Sequence, residues 1–231
     1  MNKHLSVLPL FLAGFILISC VSTRNDLSVS LSGYQTITET EKAEHFTYKI
    51  EYPIFSENEV LNEAIKEQIV NPVKKTSRDT KEDWKLEAEE RKAAFGDSSF
   101  PPYESLTTLE SVIESGKFIS IVFHDYTYTG GAHGFSCKKT LTYMKSEDRI
   151  VNIMKATGLS LDKISRLCYD ELLTIMDKEQ ISDIQWIQEG TEPETENYRA
   201  FTYDGKNLTV YFNPYQVAPY ASGIIKVEVA L

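Results

Sequence analysis

The spacing of apolar residues changes several times along this chain, and each change marks an element. After an apolar run from Leu5 to Ile18, Leu27, Val29 and Leu31 alternate with serines, and Tyr34–Thr38 keeps a β-type composition, which predicts a first strand. Phe46, Tyr48, Ile50 and Tyr52 share one face of a second strand, and Pro53 predicts an edge or an exit at its end. Leu61, Ile65, Ile69 and Val73 then recur at every fourth position, the stripe of a helix, with Ser56 and Glu59 spaced as a capping box. Pro72 interrupts the stripe, Thr76–Asp83 has no apolar residue, and Trp84, Ala88 and Phe95 resume it weakly before Gly96. Two helices, or one kinked helix, are expected here around a solvated middle.

Pro101-Pro102 marks a boundary, beyond which Tyr103–Glu114 and Lys117–Tyr128 read as a hairpin about Ser115-Gly116. Ile119, Ile121 and Phe123 point one way and Phe118, Val122 and Tyr126 the other, so this strand is expected to be central and covered on both faces. Cys137–Met144 predicts another strand. Ser160–Met176 carries a helical stripe through Leu161, Ile164, Leu167 or Cys168, Leu172 and Ile175, and Ile181–Gln188 reads as a shorter helix. Phe201–Asp204 and Leu208–Phe212 flank Gly205-Lys206 as a tight hairpin, and Ile224–Leu231 closes the chain as a strand. Strands in meanders with helices grouped between them predict an α+β fold of antiparallel sheets with two to four helices packed on them. The expected organisation is a signal peptide over 1–19, a lipidated tether over 20–26, a strand-strand-helix part over 27–100 and an α+β part over 101–231.

The start adds a compartment. A basic Met1–His4 precedes the apolar run, which is too short for a comfortable membrane span and fits an export signal. Leu17-Ile18-Ser19-Cys20 resembles a bacterial lipobox, which implies acylation of Cys20, anchoring through its acyl chains, and a place in the cell envelope at an outer membrane or cell surface. The formal charge of −10 disfavours nucleic acid, whose phosphates require Lys and Arg, and suits a basic protein partner. Cys137 and Cys168 remain as an even pair in an exported chain, where a disulfide is permitted, but spacing cannot show that they meet, and two buried free thiols are the alternative.

The most distinctive stretch is Tyr126-Thr127-Tyr128-Thr129-Gly130-Gly131-Ala132-His133-Gly134. Glycines between two strands permit positive φ and close approach of other groups. Thr129–Gly134, followed by Tyr211-Phe212-Asn213-Pro214-Tyr215 and Val217–Gly223, resembles a bacterial envelope module. That module stands beside the catalytic domain of the PdaC peptidoglycan deacetylase and forms the extracellular, lysozyme-sensing part of the RsiV anti-sigma factor. The resemblance implies an α+β fold and an envelope role, with lysozyme or peptidoglycan as ligand. The expectation is of the bare module on a lipid anchor, without the deacetylase's metal-binding domain.

Residues for catalysis are sparse. After Cys20 the histidines are His45, His124 and His133. His124 and Asp125 are strand neighbours aimed at opposite faces, which does not suit one metal ion. His133 in a glycine loop is expected to hydrogen-bond backbone groups the turn leaves open. No G-x-S-x-G elbow occurs, and no carboxylate pair stands out for glycan hydrolysis. The reading is therefore of a binding module without catalysis, cofactor or metal. Its candidate contact residues are Tyr126, Tyr128, Gly130, Gly131, His133, Tyr215 and Tyr220, tyrosine combining contact area with a hydroxyl. A peptidoglycan-modifying hydrolase or deacetylase-like enzyme centred on His133, or a purely structural lipoprotein, is the alternative. Whether Tyr126–Gly134 and Tyr211–Gly223 meet around an open surface decides the site.

Overall fold

In the computed structural model, which describes residues 22–29, 33–96, 101–179 and 183–231, two sheets and their helices form an α+β fold. Cys20 and its lipobox lie outside the described residues. The larger sheet has seven strands in sequence order: β1 (Ser22–Val29), β2 (Tyr34–Lys42), β3 (Phe46–Phe55), β4 (Tyr103–Glu114), β5 (Phe118–Tyr128), β6 (Phe135–Met144) and β7 (Arg149–Ile150). The smaller has β8 (Phe201–Tyr203), β9 (Asn207–Phe212) and β10 (Ile225–Ala230), with β9 in the middle.

All neighbours run antiparallel except β3 and β4, which pair in parallel over Phe46–Ile50 and Tyr103–Thr107. The expectation of purely antiparallel sheets is corrected at this one joint. A parallel neighbour needs a long crossover, and the helical excursion between β3 and β4 supplies it. The single first strand is also corrected: β1 and β2 are a hairpin turning at Gly33, and β1 begins at Ser22, inside the segment read as tether. Pro53 does not end β3. The pairing with β4 stops at Ile50, so the N–H that proline lacks is not needed on that side.

The excursion is one continuous helical path: α1 (Glu59–Ile65), a π-helical turn (Lys66–Val70) and α2 (Asn71–Phe95). Its cap is Asn58 rather than the expected Ser56; the Asn58 carboxamide oxygen accepts the Leu61 N–H at 2.9 Å. Pro72 neither ends nor splits the helix. Proline has no N–H for the carbonyl four residues back, and the widened turn before it absorbs the ring, with the Asn71 N–H reaching back to the Lys66 carbonyl.

β5 carries both cores, as its two apolar faces predict. Ile119, Ile121 and Phe123 pack with Phe46, Tyr48, Ile50 and the stripe Leu61, Ile65, Ile69 and Val73. On the other face Phe118 joins the second core, built on α3 (Ile153–Thr157), α4 (Leu161–Glu179), α5 (Ile184–Gly190) and the small sheet. In α4, Ile164, Cys168 and Leu172 are fully buried, the stripe read from the sequence. The large sheet takes strands from both sides of residue 100, and the two cores divide near Val151.

Candidate functional site

The β5–β6 connection and the turns around β9 do meet. Gly130 and Gly131 both hold φ near +90°, reversing the chain within a few residues where a Cβ is strained. The Tyr128 hydroxyl closes the turn by donating to the Gly131 carbonyl at 3.2 Å. Gly134 serves a different need. A Cβ there would stand 2.4 Å from the Tyr126 ring, so only glycine lets that ring lie against the loop.

From the other side, Tyr220 stacks on His133 with ring centroids 4.1 Å apart and planes at 18°, and its hydroxyl donates to the Gly134 carbonyl at 2.5 Å. The Nδ1 of His133 lies 3.0 Å from the same carbonyl. Tyr215 extends the row, its ring centroid 5.6 Å from that of Tyr220. The result is an aromatic ridge rather than a deep cleft. His133 and Tyr215 are exposed, Tyr215 at 54%, while Tyr126, Tyr128 and Tyr220 are half-buried. Phe135, also exposed, continues the apolar surface beside the glycine loop.

Tyr215 holds φ at +69°, a conformation that costs a non-glycine residue on the order of 1–3 kcal/mol. Its surroundings determine that conformation. The Tyr215 N–H donates to the Ala218 carbonyl at 3.1 Å, and the Trp186 indole N–H donates to the Tyr215 carbonyl at 2.9 Å. Gln216 donates to the Asn197 carbonyl, and the Asn213 side chain accepts the Lys138 N–H at 2.7 Å, tying the turn to β6. Arg91, near the end of α2, donates to the Thr129 carbonyl at 3.3 Å. Phe135, Trp186 and Arg91 were missed in the sequence. Phe135 directly follows the glycine loop and was legible as part of it; Trp186 and Arg91 lie 29 and 38 residues from their partners, with no local signal.

The ridge holds no charge-relay geometry, and no group of three or more His, Cys, Asp or Glu suited to a metal ion occurs among the described residues. His124 instead meets Lys138, whose ammonium also pairs with Glu110. Cys137 and Cys168 are free thiols, so the disulfide considered from the sequence is corrected. Cys168 is sealed in the second core and Cys137 sits beside Asp125 on β6. Burial pushes the Cys137 thiol up to about 11, with Asp125 adding to the shift, and burial pushes Cys168 up to about 12, so both are poor nucleophiles at neutral pH.

Comparison with known proteins assigns a class to this arrangement. Residues 39–136 match the family described as deacetylase PdaC, and residues 152–231 match DUF3298, a family of unknown function. The chain carries a PdaC domain followed by a DUF3298 domain, and these meet at the ridge. It is 31% identical over 176 residues to the peptidoglycan-N-acetylmuramic acid deacetylase PdaC of Bacillus subtilis, a match covering 75% of this chain and 35% of that protein. The fold is shared with two solved DUF3298-family structures. The one from Bacteroides fragilis has TM-score 0.58 and 17% identity, with 92% of each chain covered. The one from Pseudomonas aeruginosa has TM-score 0.53 and 14% identity, with 91% of each covered.

Proposed function

We propose that this chain is a lipid-anchored recognition module of the bacterial envelope, without catalysis of its own, that binds peptidoglycan or a wall-active protein such as lysozyme through the ridge of His133, Tyr215 and Tyr220. The observation that carries the reading is the convergence of the two motifs on one exposed aromatic surface, held in place by a strained Tyr215 and a stacked His133. Rigid aromatic groups with polar tips are what protein and glycan recognition uses. The likeness to a protein named for peptidoglycan supports the wall as the setting, and the charge of −10 supports a basic protein partner. Anchoring at Cys20 would hold the module at the membrane surface.

Two retention assays test this on the purified chain: co-sedimentation with insoluble peptidoglycan, and pull-down with lysozyme at low and high salt. Retention by at least one target is expected, with about a tenfold loss in the Tyr215→Ala/Tyr220→Ala double variant, and a salt dependence for lysozyme. No retention by either target at low salt overturns the reading. Release of acetate or new reducing ends from the peptidoglycan overturns its non-catalytic part.

A further inference from the structure

We propose that the module rests on the membrane through one defined end of the large sheet, made by the start of β1, the turn between β2 and β3, and the last turn of α2. The partner of this surface is the lipid headgroup layer. The inference deepens the function proposed above and rests on its acylation of Cys20.

Chain length fixes the point of attachment. β1 begins at Ser22, so Val21 alone separates the sheet from Cys20. An extended residue spans at most about 3.6 Å, which holds Ser22 within about 7 Å of an acylated Cys20. Ser22 lies opposite Lys42, the last residue of β2. The turn into β3 follows at once, closed by the Ala43 N–H donating to the Phe46 carbonyl at 2.9 Å. The Tyr103 N–H, at the start of β4, donates to the His45 carbonyl at 2.9 Å. α2 finishes over the same strand starts: the Arg91 guanidinium lies 5.0 Å from the centre of the Tyr103 ring, and Phe95 stands one turn further on. Direct contacts thus connect the attachment point, the turn and the end of the helix.

The chemistry of this end suits lipid. Phe95 is 70% exposed, more than any other large apolar residue described, and an aromatic ring is at home at the headgroup boundary. Pro101 and Pro102 are exposed beside it. Among the described residues 42–46, 91–96 and 101–104, Lys42, Arg91 and Lys92 outnumber Glu44 and Glu104, on a chain whose formal charge is −10. An anionic headgroup layer repels most of such a chain and accepts this end. The glycine loop stands at the same end, tied to α2 where Arg91 donates to the Thr129 carbonyl at 3.3 Å, so the ridge lies beside the lipid contact rather than on the far side of the module. The turn after β6 belongs to the opposite end of the sheet, about 30 Å away along that strand at roughly 3.3 Å per residue.

Short-range fluorescence quenching tests the assignment. The full chain is purified from membranes, its acylation is checked by mass, and it is reconstituted in vesicles of phosphatidylethanolamine and phosphatidylglycerol with brominated acyl chains. Glu44, Phe95 or Ser146, all exposed, is replaced in turn by a fluorescent amino acid. Quenching at positions 44 and 95 is expected to exceed that at 146 several-fold. A linker of about 20 Gly and Ser residues inserted between Cys20 and Ser22 reaches roughly 25 Å on average and should remove most of the quenching at 44. An acylated chain with no quenching at 44 or at 95, with quenching at 146 equal to that at 44, or with quenching unchanged by the linker overturns the proposal and leaves the anchored module standing. A chain that carries no acyl groups removes the anchor from the proposed function and this contact with it, while retention through Tyr215 and Tyr220 is read separately.

Discussion

The two faces of β5 are held by different forces. Toward α1 and α2, Ile119, Ile121 and Phe123 lie in an apolar core with side chains from β3 and from the helix, and hydrogen bonds between helix and sheet, Asn62 with Phe55 at 2.8 Å and Tyr103 to Glu87 at 2.7 Å, go to β3 and β4 rather than to β5. Toward the small sheet, apolar Phe118 and Val122 flank Ser120, which is equally buried. The Ser120 hydroxyl accepts the Tyr203 N–H at 3.1 Å and donates to the Tyr203 carbonyl at 3.1 Å, and Thr142 beside it lies 3.1 Å away. On β5 itself, one face is fixed by shape and area. The other is pinned in register by hydrogen bonds between sheets, and that face carries β8, β9 and the turns that build the aromatic ridge. The ridge needs positional accuracy, and the pinned contact supplies it.

The largest break in this comparison comes on the apolar face. Phe123 is fully buried in the core that the large sheet shares with α1 and α2. Phe123→Ala removes its transfer energy and leaves a cavity, so a loss of about 3–5 kcal/mol is expected in denaturant unfolding. The ridge should persist in whatever fraction remains folded. On the pinned face, Ser120→Ala removes little area but strands the Tyr203 N–H and carbonyl without their partner. A smaller loss of about 1–3 kcal/mol is expected. Retention through Tyr215 and Tyr220 should weaken by more than the loss of folded fraction explains. If Ser120→Ala leaves retention per folded molecule unchanged, the registering role of this contact is wrong.

Much of this was legible because it is local. The period-two run Phe46–Tyr52, the period-four run Leu61–Val73 and the doubly apolar Phe118–Phe123 each state their own burial, and the structure buries them accordingly. The meeting of Tyr126–Gly134 with Tyr211–Gly223 was posed by two motifs but was not readable from either. It depends on Asn213 reaching Lys138, 75 residues away. The parallel joint of β3 and β4 was hidden for a related reason: strand direction is set by where the intervening helix returns the chain, and nothing within either strand encodes that. The π-helical turn escaped because Pro72 signals a broken helix equally well. The cap moved from Ser56 to Asn58 because both residues can accept an N–H, and the Asn58 oxygen is the one within 2.9 Å of Leu61. Arg91 and Trp186 reach the ridge from elements whose own patterns describe only ordinary helices.

The smallest expected effect lies at the far end of the pinned face, in the turn that joins β8 to β9. The Asp204 carboxylate accepts the N–H of Lys206 at 2.8 Å, the N–H of Asn207 at 2.7 Å and the Asn207 side chain at 2.9 Å. These bonds, those from Asn207 foremost, favour the charged form and hold Asp204 below the ordinary value of 3.8. A carboxylate depressed in the folded state stabilises that state fully above its unfolded value, and the contribution is lost as pH falls through the depressed folded value. The turn should therefore be unaffected from neutral pH down to about 4 and should loosen below that. Asp204→Asn keeps an acceptor but removes the titrating charge, so the acid-induced loosening should be weaker than in the parent chain. Amide exchange at Lys206 and Asn207, compared between the parent and Asp204→Asn across this range, separates the turn from global acid unfolding. Because the side chain is partly exposed, its effect on the melting midpoint should be well below that of Ser120→Ala. An equal or larger effect would mean that the turn, rather than the Ser120 contact, sets the position of β8 and with it the ridge.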